Sequence, residues 1–131
     1  MTTNETVTSN PNSVSRIAAG MTVIKGEIVS LHDIRFDGDF DGKITTKGRI
    51  IIGETSHIKA DIVCANLDIW GTFDGNACVK DTLALKSGCT VKGDMQMNKL
   101  SIELGSRFDG TSRTITEEEF DKTTANAGDG I

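Results

Sequence analysis

The feature of this sequence that most constrains its fold is an internal repeat of 33 residues. Residues 39–44 (DFDGKI) return as residues 72–77 (TFDGNA), and the same Phe-Asp-Gly triplet occurs again at residues 108–110. Residues 36–62 align with residues 69–95 without a gap, and apolar positions then coincide almost throughout. A fixed period of this kind predicts a repeat architecture in which stacked units share one core.

A shorter unit is visible inside this period. A triplet of a small, a polar and usually an apolar residue recurs at intervals of 15 to 18 residues, and it begins at Gly26, Gly42, Ala60, Gly75, Gly93 and Gly110. Units of this length are too short for a strand-helix repeat, and they suit one winding of a parallel β-solenoid. We therefore predict an all-β, single-domain parallel β-helix (β-solenoid) with a triangular cross-section and about six windings, one for each triplet.

Superposing the units sorts the apolar residues into three columns, which predict the three sides. The first column is Ile28, Ile44, Ile62, Ala77, Met95 and Ser112. The second, which we expect Ile24 to head, is Phe40, Ile58, Phe73, Val91 and Phe108. The third is the set of alternating pairs Ile34/Phe36, Ile50/Ile52, Leu67/Ile69, Leu83/Leu85 and Leu100/Ile102. Glycines between the columns favour sharp corners, and the aspartates beside them are interpreted as turn formers.

Composition agrees with short strands in a single domain. The 131 residues include 14 Gly and one Pro, and β-branched residues are frequent. We predict a disordered polar arm over residues 1–20, the β-helix over residues 21–113, and an acidic, mostly disordered tail over residues 114–131 with room for one short helical turn.

Charge and cysteine content argue against several functions. The formal net charge is -5, but the tail holds -4 of it and the repeat region only -1, so no basic surface for nucleic acid is expected. Cys64, Cys78 and Cys89 show no Cys-x-x-Cys spacing, and they are interpreted as packing residues in a reducing cytosol. We expect no metal site, no cofactor, no secretion signal and no membrane-spanning segment.

The ends of the predicted solenoid are its functional clue. A terminal winding exposes apolar side chains and unpaired backbone groups, and repeat proteins normally cover both with polar capping elements. This sequence shows no such element, so we expect copies to associate end to end. The candidate residues for this interface are Met21, Val23, Ile24, Leu100, Ile102, Leu104 and Phe108.

Several segments follow one another in a specific order: TVIKGEI at 22–28, KGRIIIG at 47–53, KADI at 59–62, GDM at 93–95 and GSRFDG at 105–110. In this order, over about residues 21–112, the chain resembles the bactofilin family of bacterial polymer-forming cytoskeletal proteins. It implies a right-handed β-helix that assembles without nucleotide into non-polar filaments. It also implies a cytoplasmic scaffold for cell shape or polar localisation, often at the inner membrane face beside cell-wall enzymes or membrane proteins. The resemblance further implies that Phe108 takes the family's hydrophobic polymerisation position.

Direct membrane binding is not expected, because the N-terminus lacks an early aromatic residue and a Lys/Arg cluster. The alternative function is a hexapeptide-repeat acyltransferase, which also has a triangular β-helix and would need a catalytic histidine. His32 and His57 are the available histidines, but the six-residue step fails over most of the chain. Calcium-binding β-rolls need a nonapeptide Gly-Asp ladder that is absent here. No catalytic residue is therefore predicted, and we expect a non-enzymatic scaffold.

Overall fold

A computed structural model describes residues 6–8 and 15–124 of the chain. Almost every regular element in it is a β-strand. In chain order the elements are β1 (Thr6–Thr8), β2 (Ser15–Ile17), β3 (Thr22–Ser30), β4 (Ile34–Phe36), β5 (Asp39–Thr46), β6 (Arg49–Ile52), β7 (His57–Cys64), β8 (Asn66–Ile69), β9 (Thr72–Val79), β10 (Thr82–Leu85), β11 (Thr90–Met97), β12 (Lys99–Ile102), β13 (Arg107–Thr114) and the helix α1 (Glu117–Thr124).

The strands stack in two parallel sheets that the chain visits alternately. The odd-numbered strands form a seven-stranded sheet in the order β1-β3-β5-β7-β9-β11-β13, and the even-numbered strands form a six-stranded sheet from β2 to β12. One even strand and the following odd strand make one winding, so the chain completes about six windings from β2 to β13. This arrangement confirms the predicted all-β solenoid.

The strand registers confirm the predicted columns. Ile44 pairs with Ile62, Phe73 pairs with Val91, and Leu83 pairs with Leu67, in each case one winding apart. The head of the second column was predicted wrongly, because Val23 and not Ile24 pairs with Phe40. A bulge between Val23 and Gly26, with Lys25 at a φ of 55°, shifts the register there and turns Ile24 outward.

The longer strands of the seven-stranded sheet bend at their middle. Gly93 has a φ of +126°, and a Cβ on it would collide with the Gly75 carbonyl oxygen of the winding below. At position 93, therefore, only glycine fits both the backbone conformation and the close stacking. Since inward residues lie on both sides of the bend, such as Val91 and Met95, each winding has three apolar sides.

An outward-facing ion-pair cluster fastens the first winding to the second. The Asp37 carboxylate accepts hydrogen bonds from Arg35 Nε at 2.9 Å and from Arg16 Nε at 2.8 Å. These guanidinium groups, Arg35 first, hold the pKa of Asp37 below its usual value, although its burial acts in the opposite direction. Arg16 lies in β2, so the interaction ties this early strand to the body of the solenoid.

The two terminal segments contain more regular structure than the sequence indicated. Within residues 1–20, β1 pairs with β3 and β2 pairs with β4, while the expectation of disorder for residues 1–5, 9–14 and 125–131 lies outside the described part of the chain. In the tail, β13 reaches Thr114 and α1 follows. Thr116 and Glu119 form a reciprocal capping box, in which Glu119 N–H donates to Thr116 Oγ1 and Thr116 N–H donates to Glu119 Oε1.

Candidate polymerisation interface

The C-terminal winding, β12 with β13, leaves the apolar core open at one end. β12 pairs with β10 and β13 pairs with β11, and no described strand pairs with their other edges. Leu100 is 36% exposed and Ile102 is 56% exposed, whereas Leu83 and Leu85 directly below them are completely buried. The same columns that form the core therefore end at a surface.

Two further candidate residues lie in this winding. Phe108 is half-buried and packs against the core, above the fully buried Val91. Leu104 is 95% exposed at the corner between β12 and β13, where Ser106 N–H donates to the Glu103 carbonyl oxygen. The structure thus places Leu100, Ile102 and Phe108 on the sides of the terminal winding and Leu104 at its corner.

The helix α1 leaves this end uncovered. After β13 the Ile115 N–H donates to the Met97 carbonyl oxygen, and Asn98 Nδ2 donates to the Ile115 carbonyl oxygen at 3.1 Å. Lys80 Nζ, two windings below the end, then lies 3.7 Å from Glu117 Oε1. The chain therefore turns back along the side of the solenoid, so α1 runs beside the earlier windings and not across the open winding.

The N-terminal candidates occupy different environments. Val23 is buried and heads a core column, so it is not available to a partner in this conformation. Met21 and Ile24 are exposed beside the bulge. β1 pairs only with residues 27–29 of β3, so the outer edge of residues 22–26 has no strand partner among the described residues. Within residues 6–8 and 15–124, this end is partly covered, whereas the C-terminal end is open.

The histidines and cysteines do not form a reactive cluster in the described part of the chain. His57 Nδ1 lies 3.2 Å from Asp39 Oδ1 at the solvent-exposed surface. Cys64, Cys78 and Cys89 are free and buried, and burial raises the pKa of each thiol, which disfavours the thiolate. Residues 6–8 and 15–124 contain no group of three potential metal ligands and no helix long and apolar enough to cross a membrane.

Sequence reasoning missed two features that shape the ends. The Arg16–Asp37 ion pair could not be predicted without knowing that β2 stacks beside β4. The Thr116-x-x-Glu119 capping motif, in contrast, could have been recognised in the sequence. The ion pair holds β2 on the first windings, and the capping motif begins α1 where the chain turns away from the open end.

The fold and the open end define a class: a parallel β-solenoid whose C-terminal winding leaves apolar core residues exposed. Comparison with known proteins gives the family. Residues 15–113 match the family described as bactofilin, polymer-forming cytoskeletal. The chain is also 34% identical over 88 residues to Bactofilin BacO of Myxococcus xanthus (strain DK1622), an alignment that covers 67% of this chain and 70% of the relative. No solved structure gives a significant match.

This chain belongs to the bactofilin family, and it is accordingly a polymer-forming cytoskeletal protein.

Proposed function

We propose that the protein is a non-enzymatic scaffold that polymerises end to end, without nucleotide, through contact between like C-terminal windings and between like N-terminal windings. The observation that carries the proposal is the exposure of Leu100 and Ile102 at the point where the core ends. A docked copy would bury these side chains and would supply partners for the outer edges of β12 and β13. Contacts between like ends give a filament without polarity.

Phe108 is the proposed polymerisation residue. It lies in the terminal winding, and its half-buried ring continues a column that includes Phe73 and Val91. An arginine at this position would place a charge in the proposed apolar interface, where its desolvation would oppose docking. Because the ring is not fully buried in the single chain, the solenoid should accept the change.

The test compares wild-type protein with Phe108→Arg by negative-stain electron microscopy and high-speed sedimentation, in buffer without nucleotide or metal. We expect filaments from the wild type and none from the variant, with the same β-sheet circular dichroism spectrum for both. A wild-type protein that stays monomeric at all concentrations would refute the proposed polymer. Loss of the circular dichroism signal in the variant would assign Phe108 to the internal core instead.

The cellular part of the proposal follows from the family. A cytoskeletal polymer that carries no predicted catalytic residue would act in the cytoplasm by positioning other proteins, such as cell-wall enzymes or membrane proteins, in support of cell shape. Fluorescent fusions of the wild type and Phe108→Arg test this role. We expect a localised structure for the wild type and a diffuse signal for the variant, and identical patterns would count against filament-dependent positioning.

A further inference from the structure

One outward face of the solenoid carries charges that alternate in sign from winding to winding. The strand registers stack five exposed residues in one column, each just before the bend of its strand. We name this column the charge ladder, and its members are Asp41, Lys59, Asp74, Lys92 and Asp109. Consecutive members are separated by one strand spacing, which is about 4.8 Å.

Among the described residues the ladder members make no close ion pair, although consecutive members have opposite charges. In the described region, none of the five members lies within 4.0 Å of an oppositely charged group. The column on the other side of the bend differs, because Asp61 accepts a hydrogen bond from Asn76 and Asp94 accepts one from Thr111 at 2.6 Å. The ladder side chains are therefore available to form close ion pairs with an external partner.

The surface beside the ladder permits close approach. The residue that follows each member is the bend residue, and it is glycine in every winding of the ladder except one, where it is Ala60. Nothing larger than a methyl group stands along this corner. The side of the ladder that faces the bend is therefore open to a partner surface.

We propose that the charge ladder is a side-by-side contact between two copies of this chain, with the copies offset by one winding. An antiparallel pair in equal register would bring Asp74 against Asp74 of the second copy, and every other opposed pair would also have like charges. A shift of one winding places Lys59 opposite Asp74 of the second copy and Asp41 opposite Lys92 of the second copy. A two-fold axis repeats both pairs, so the surface is complementary to itself.

The contact rests on the proposed filament, because exposed ion pairs are individually weak and a filament repeats the ladder many times. Its expected effect is therefore the bundling of filaments and not the dimerisation of single chains. Salt should dissolve the bundles, since the screening length falls from about 10 Å at 0.1 M salt to about 3 Å at 1 M. The end-to-end contact is apolar and should persist under the same conditions.

The test uses one acidic and one basic ladder. Lys59→Glu with Lys92→Glu gives an acidic ladder, and Asp41→Lys with Asp74→Lys gives a basic one, while neither pair of changes touches the terminal winding. Each variant is polymerised alone and then mixed with the other at low ionic strength. Low-speed sedimentation measures bundles, high-speed sedimentation measures all filaments, and electron microscopy counts filaments per bundle.

For each variant alone, we expect the amount of protein in the low-speed pellet to fall at least about tenfold, while the amount in the high-speed pellet stays the same. We expect the mixture of the two variants to form bundles again. The control carries the same charge change as the acidic ladder at exposed residues outside the ladder, Lys47→Glu with Lys122→Glu. It should bundle like the wild type. Bundling by both variants alone, or a mixture that stays dispersed, would overturn the proposal.

A cross-linking measurement separates this proposal from the filament itself. Wild-type chains with light and heavy nitrogen isotopes are mixed and treated with a carbodiimide, which condenses an adjacent amine and carboxylate into an amide. A cross-linked product in which Lys59 comes from a light chain and Asp74 from a heavy chain, or the reverse, supports the contact between copies. If the wild type yields no high-speed pellet, the proposed filament fails and the ladder contact that rests on it fails too. If filaments pellet at high speed but give no mixed product, the ladder contact alone is overturned.

Discussion

Replacing Ile102 with serine gives the most quantitative test of the open end. Full burial of an isoleucine side chain contributes about 1.5–3 kcal/mol. Ile102 is 56% exposed in the single chain, so docking can add about 0.8–1.7 kcal/mol from each copy. A contact between like ends buries this residue twice, and Ile102→Ser should weaken that contact by about 1.7–3.4 kcal/mol, equivalent to about 20- to 300-fold in its dissociation constant.

The assay is the dependence of high-speed sedimentation on protein concentration, which gives the concentration needed for assembly. Ile51→Ser is the matched control, because Ile51 is a half-buried isoleucine of β6, which lies in a middle winding away from both ends. We expect the Ile102 variant to require a much higher concentration, and the Ile51 variant to resemble the wild type. Equal shifts in both variants, or no shift in either, would refute the assignment of the C-terminal winding as a docking surface.

Three further changes test how the solenoid is held together. Asp37→Asn should remove the part of the folding stability that depends on the Asp37 carboxylate. Because the pKa of Asp37 is depressed in the folded state, that part is present above the unfolded value near 3.8 and is lost as the pH falls below it. Denaturation measured from pH 7 to acid should therefore show a steeper loss of stability for the wild type than for the variant. Gly93→Ala should lower the thermal midpoint more than Gly88→Ala does, because both residues have positive φ but only the Cβ at position 93 meets backbone; equal losses would show that the clash relaxes. Removing residues 1–18 deletes β1, β2 and Arg16, so we expect a lower thermal midpoint with assembly through the C-terminal winding intact, and loss of all assembly would contradict the docking assignment.

The apolar columns could be predicted from the sequence because each winding repeats the same inward positions. Ile44 and Ile62 share one environment, and the spacing between them also fixes their neighbours. The head of the second column failed because Lys25 adopts a left-handed conformation, and the bulge substitutes Val23 for Ile24. A single irregular residue is enough to shift the strand register, and a bulge of this kind cannot be predicted from a periodic pattern of apolar residues.

The open end was only partly accessible from the sequence. Leu100 and Ile102 were candidates because their column stops there, and the structure shows them exposed. The sequence could not give the direction of the chain after β13. That direction depends on contacts of Ile115 with Asn98 and of Glu117 with Lys80, and Lys80 lies two windings below the end. The early strands were missed for a similar reason, since a three-residue strand such as β2 carries almost no periodic signal and gains its order by pairing with β4.

Fibre diffraction from aligned filaments of the wild-type protein tests the central claim most directly. If solenoids dock end to end, the strands lie across the filament and stack along it, so the strand spacing of about 4.8 Å should appear as a reflection along the filament axis. The same reflection perpendicular to the axis would mean that the solenoids associate only side by side. That result would contradict the assignment of the C-terminal winding as the polymerisation interface.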